Sequence, residues 1–130
     1  MNQYTNHYAQ IDTESAIHNA SPHQVIKLLM QGFLTNINKA KASIQAGDIN
    51  AKNHFIHKAR DIIYGLLEAL NLEEGGELAQ NLQMLYEYIT RRLSEANLHN
   101  SIDMLDEVAG LLREIKTGWD AIPEKLDDHS

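Results

Sequence analysis

The chain has no cysteine among its 130 residues, which excludes disulfides, cysteine-ligated zinc and thiol nucleophiles together and fits a reducing compartment. Aromatic residues are scarce at 6% while the hydrophobic fraction is 43%. The apolar content is therefore mostly Leu, Ile and Ala, which favour helices. Positive charge is short as well: 11 Lys and Arg stand against 18 Asp and Glu, a formal net charge of −7. A phosphate backbone or an anionic membrane would be repelled, and the basic doublet Arg91-Arg92 is too small to reverse that. No stretch approaches the roughly 18 apolar residues of a membrane span, and the polar opening MNQYTNHYAQ lacks the apolar region of a signal peptide. These absences predict a soluble, unexported, cytoplasmic chain with no nucleic-acid partner and no membrane insertion.

What is present is helical periodicity, repeated four times. Ser21-Pro22-His23-Gln24 marks a helix start, with Ser21 as cap and Pro22 at the first helical position. The first helix is predicted over 22–46, with Leu29, Phe33, Ile37, Ala40 and Ile44 inward, Ile26, Met30 and Leu34 widening the stripe, and Gly47 as the stop. Asp48 caps the second, whose core line is Ala51, Phe55, Ala59, Ile62, Leu66 and Leu70, flanked by Ile56, Ile63 and Leu67; it ends near Asn71. The turn at 72–76, with Gly75-Gly76, leads to a third helix with Leu78, Leu82, Leu85, Ile89, Leu93 and Ala96 inward, closed by 97–100. Ser101 caps a fourth with Ile102, Leu105, Val108, Leu112, Ile115 and Trp119 inward, stopped by Pro123. Short connections force antiparallel neighbours, so the fold predicted is all-α, an up-down-up-down four-helix bundle over 21–122. Residues 1–20 form a mobile or docked N-terminal segment and 123–130 a frayed tail. Two features exceed a minimal bundle. The stripes are wide, and Gly32, Gly65, Gly110 and Gly118 lie inside helices, where each costs about 1 kcal/mol relative to Ala unless close approach by another helix compensates.

A search for chemistry in this frame finds no catalytic constellation, no metal site and no cofactor motif. The Glu-x-x-His ligand pattern of a di-iron bundle is missing; His54 and His57 are three residues apart but lack an acidic partner at matching depth. Phosphotransfer through His57, with Lys58 beside it, is the alternative reading, although the sequence runs His-Lys-Ala-Arg-Asp where that chemistry has His-x-x-Lys-Gly. Glu87 to Arg91 and Arg92 to Glu95 have the spacing of surface ion pairs, with Tyr86 and Tyr88 nearby. The same residues suit the charged, aromatic rim of a binding groove. A third reading is a structural oligomer that buries its stripes against itself.

The run Ser21-Pro22, the Ala46-Gly47-Asp48 turn, Gly75-Gly76-Glu77-Leu78-Ala79, Leu85 through Tyr86, Tyr88, Arg91 and Arg92 to Leu93, and Leu105-Asp106-Glu107-Val108 through Leu111-Leu112-Arg113-Glu114 to Trp119 stand in one register. In order and spacing they resemble the flagellar secretion chaperone family FliS. The resemblance implies a cytoplasmic, non-enzymatic export chaperone that binds the disordered C-terminal segment of flagellin, prevents its premature polymerisation and assists delivery to an export gate component. It also implies that the N-terminal segment, with Tyr4, Tyr8 and Ile11, covers part of the apolar groove and moves when flagellin arrives. The expected contacts are Ile56, Ile63, Leu67, Tyr86, Ile89 and Arg92, and unbound chaperone is expected to pair as a homodimer.

Overall fold

The Ser21 side chain accepts a hydrogen bond from the Gln24 backbone N–H at 3.2 Å, and Pro22, which has no N–H to satisfy, opens the first helix. The computed structural model describes residues 21–70 and 72–122, within which four helices follow one another: α1 (Pro22–Ala46), α2 (Ile49–Ala69), α3 (Leu72–His99) and α4 (Ile102–Asp120). The expectations for residues 1–20 and 123–130, Tyr4, Tyr8 and Ile11 included, lie outside the described residues. Asp48 caps α2 through the Ala51 N–H at 3.0 Å, and Ser101 caps α4 through the Met104 N–H at 3.1 Å. Gly47, at φ 71°, ends α1 in the left-handed region that glycine occupies without strain, and the Asp48 N–H returns to the Ser43 carbonyl at 2.9 Å.

The helices pack as a ring, α1 against α2 and α4, and α3 against the same two. Their inner faces form one core, with Phe33, Ile37, Ala59, Ile63, Ile89, Ala96, Leu105, Val108 and Leu112 wholly excluded from solvent. Asn36, 2% exposed, is tolerated there because its Nδ2 donates to the Gly32 carbonyl at 2.8 Å one turn back.

Lys52 is the unusual member of the interior, 5% exposed in the first turn of α2. Its ammonium donates to the Asn97 carbonyl at 2.9 Å and to Asn100 Oδ1. The last carbonyls of a helix have no partner within it and carry the negative end of its dipole. Lys52 thus closes the end of α3 from a neighbouring helix, while Asn100, at φ 52°, turns the chain towards α4.

Several details depart from the sequence expectation. The stripe of α2 is rotated: Ile56 and Ile63, expected beside the core line, are inside it, while Ala51 and Phe55 are half-buried. On α3, Leu78 and Leu85 were expected inward and are 65% and 36% exposed; Ala79 and Tyr86 take the inner positions. The cause is local, since Gly76 (φ 57°, ψ −138°) breaks α3 and resets its phase. The helix α2 ends at Ala69, where Leu70 turns extended, and α4 ends at Asp120, because the Ile122 N–H bonds back to Trp119 and tightens the chain before Pro123. Close helix approach does not explain Gly110 or Gly118, since a Cβ at either would meet nothing within 4 Å.

Two stability changes follow. Lys52→Met keeps the buried stem but removes the donor, and is expected to lower the unfolding free energy by about 1–3 kcal/mol in urea titration. Gly110→Ala is expected to raise it by up to about 1 kcal/mol in the same measurement, since the added methyl meets open space in a helix interior.

Candidate functional site

At the end of the bundle opposite Lys52, the ring of helices does not close. The start of α1, the end of α2, the start of α3 and the end of α4 surround a cleft of about 470 Å³. Ile26 and Met30 come from α1, Leu66, Ala69 and Leu70 from α2, Leu78, Ala79, Leu82 and Tyr86 from α3, and Ile115, Gly118 and Trp119 from α4. Glu114 is the one charged residue lining it among the described residues. The cleft exists because α3, restarted at Gly76, leaves its first turns short of full burial: Leu78 is mostly exposed where a closed bundle would bury it.

Its walls are held in place by specific contacts. The Trp119 ring stacks on the His23 ring, centroids 4.9 Å apart and 15° from parallel, and its Nε1 donates to the His23 carbonyl at 3.1 Å. His23 itself is 3% exposed, so this stack ties the start of α1 to the end of α4. Asp120, next to Trp119, accepts from Lys116 at 2.8 Å and faces Lys27 at 3.9 Å; the Lys116 hydrogen bond, with help from Lys27, holds its carboxyl below the usual carboxylate range. Tyr86 forms part of the cleft floor at 2% exposure, and burial pushes its phenol up to about 12.

The residues expected to face a partner divide accordingly. Tyr86 lines the cleft. Ile56, Ile63 and Ile89 are at most 2% exposed and hold the helices together, so in this structure they present no surface. Leu67 is half-buried against the core. Arg92 lies on the α3–α4 seam, where its Nε donates to Glu107 Oε1 at 2.8 Å and its Nη1 to Glu95 Oε1 at 3.3 Å, while the Tyr88 hydroxyl donates to Glu107 Oε2 at 2.5 Å. The two hydrogen bonds from Tyr88 and Arg92 hold the Glu107 carboxyl below its ordinary value. The spacing-based pair Arg92–Glu95 is formed; Arg91 instead lies over the Tyr88 ring, 5.8 Å from its centroid. His54 and His57 are both exposed, and no group of three or more His, Asp or Glu residues among those described is arranged around a metal-sized space.

Ile26, Ile115, Trp119 and the Gly118 gap were not expected as cleft residues. Their signal was legible only as width: they sit at the margin of stripes wider than a bundle seam requires.

An all-helical bundle with an open apolar cleft, and with no metal-type cluster among the described residues, has the form of a protein that holds another polypeptide. Comparison with known proteins specifies which kind. The family profile described as "Flagellar protein FliS" matches residues 4–126. Flagellar secretion chaperone FliSB of Pseudomonas aeruginosa is 49% identical over 115 residues, 88% of this chain and 91% of the relative. The flagellar secretion chaperones FliS of Vibrio cholerae and Salmonella typhimurium are 39% and 44% identical, over 89% and 91% of this chain and 85% and 88% of theirs. The chain belongs to the FliS family of flagellar secretion chaperones, and its role is that of an export chaperone.

The raised Tyr86 phenol has a pH consequence. The fold favours its neutral form, so this contribution is intact below the ordinary value of 10.0 and is lost as pH rises from there towards about 12. Tyr86 is expected to be the last of the described tyrosines to ionise in a 295 nm titration. Loosening of the bundle over that range, followed by circular dichroism, is expected to weaken in Tyr86→Phe.

Proposed function

We propose that this chain is a cytoplasmic chaperone that receives the C-terminal segment of flagellin in the cleft, keeps it from polymerising early and presents it to a component of the flagellar export gate. The observation that carries this reading is the cleft: an apolar opening formed by all four helices of a protein whose relatives are named flagellar secretion chaperones. A disordered segment loses conformational entropy when it orders, and the loss must be offset by burial. A side chain such as Leu gains about 1.5–3 kcal/mol when fully buried, so a few anchors from the client are enough.

Gly118 supports the same reading. It costs helix stability, its missing side chain is not needed for packing within the bundle, and it faces the cleft. A bare backbone there leaves room for an incoming chain.

The described chain begins at Ser21, one turn from Ile26 in the cleft wall, so residues 1–20 join the bundle beside the opening. Tyr4, Tyr8 and Ile11 are the groove cover in this reading, tethered at high effective concentration yet individually weak enough to be displaced. Tyr86 is the proposed contact on the cleft floor and Leu67 a peripheral one. Arg92 engages the client only by releasing Glu107, whereas Ile56, Ile63 and Ile89 act from behind the surface by shaping it. Unbound copies pair, if they do, through the same apolar opening.

Trp119 is the chain's one tryptophan, so its fluorescence reports on the cleft. Adding the flagellin C-terminal segment is expected to shift Trp119 emission, and deleting residues 1–20 to raise both affinity and dye binding to the cleft. Unchanged affinity and unchanged dye binding would overturn the cover. Gly118→Ala is expected to stabilise α4 by up to about 1 kcal/mol while weakening flagellin binding. A gain in stability with no loss of binding would place the client elsewhere.

A further inference from the structure

The third helix carries a second apolar surface outside the cleft. Four large hydrophobic residues on α3 stand exposed: Leu78 at 65%, Met84 at 64%, Leu85 at 36% and Leu98 at 77%. Leu78, Asn81, Leu85 and Tyr88 follow one another at steps of three and four, as do Met84, Tyr88 and Arg91, so they form one slanting band along the helix. Asn81, Met84, Leu85, Tyr88 and Arg91 line a shallow hollow in its middle. The band is continuous with the cleft, because Leu78 belongs to the cleft wall and Leu82, also in that wall, is one turn from Leu85.

At the far end of the band the charges are arranged unequally. Arg92 already has two carboxylates, Glu95 and Glu107. Arg91 has none among the described residues, although Glu87 precedes it by one turn; its guanidinium lies over the Tyr88 ring instead. A guanidinium stacked on an aromatic face is held in position while its in-plane N–H donors remain open to a planar anion.

We propose that this band is a second docking surface, which takes an amphipathic helix of the same client that enters the cleft and pairs a client carboxylate with Arg91. The proposal rests on the chaperone reading and extends it from an opening to a path. Size selects the occupant. From Leu78 to Arg91 the band is about 20 Å long and one helix, about 10 Å, wide. It offers on the order of 200 Å² per partner, far below the roughly 800 Å² per partner of a stable independent complex. A second copy of this chain, itself at net charge −7, would have to associate through that area against mutual repulsion. A client already anchored in the cleft needs only a small additional contact, since the second event is intramolecular.

The absence of cysteine permits a direct test. Met84→Cys labelled with a benzophenone is mixed with the flagellin C-terminal segment, with Ala42→Cys, exposed on α1, as control. Cross-linking to the segment is expected from position 84 and not from position 42. Arg91→Glu is expected to weaken binding about tenfold while the Trp119 emission shift at saturation is retained. If the segment binds with the Trp119 shift, yet position 84 yields no cross-link and Arg91→Glu has full affinity, the second surface is overturned and the cleft stands. A cross-link within the chain or between two copies also overturns it, by giving the band to a terminal segment or to a dimer. If the segment produces neither binding nor a Trp119 shift, the chaperone reading falls and this one with it.

Discussion

The capture of the end of α3 by Lys52 is the contact on which the asymmetry of this bundle depends. The ammonium reaches across from the first turn of α2 to the Asn97 carbonyl and to Asn100. One end of the bundle is thereby closed by a charged hydrogen bond between helices that would otherwise present unsatisfied carbonyls to a buried environment. With that end pinned, α3 has freedom only at its other end, where Gly76 interrupts it. The cleft opens there, and the closed end ensures that opening it does not release the whole helix.

The same asymmetry separates stability from recognition along each helix. On α3, Ile89, Leu93 and Ala96 near the pinned end are fully buried, while Leu78 and Leu82 near the break line the cleft. On α4, Leu105, Val108 and Leu112 form core, and Ile115, Gly118 and Trp119 face the opening. A chaperone for a disordered chain needs this division. The core must stay shut while an apolar surface remains available, and the two are compatible when they occupy opposite ends of the same helices. The stack of His23 on Trp119 and the Tyr88–Glu107–Arg92 network then hold the open end's walls without filling it.

Much of the bundle was legible residue by residue. Ser21, Asp48 and Ser101 announce their helices through side-chain caps that operate within three residues, and Gly47 announces a stop through its backbone. Phe33, Ile37, Leu105, Val108 and Leu112 fall on stripes that leave no doubt about the inner face. The candidate site was much less legible. Ile56 and Ile63 looked like margin and are core, while Leu78 and Leu85 looked like core and are exposed. A stripe two or three residues wide does not say where its centre lies, and a rotation of one position, about 100° on a helix, exchanges core for surface.

The amino-acid sequence by itself determined the four helices, their caps and their antiparallel order, because these depend on interactions within a few residues and on loops too short to allow another path. Its likeness to a family also carried the identity of the kind of protein. The tertiary structure alone decided that Lys52 closes one end, that Arg92 is occupied by Glu107 while Arg91 is not, and that Ile26, Leu82, Ile115 and Trp119 meet around one opening. Those facts join residues up to 96 positions apart, as in the bond from Trp119 to His23. Helical period constrains each face to within a turn, but only the packing of four faces against one another sets which side chains are left with no neighbour.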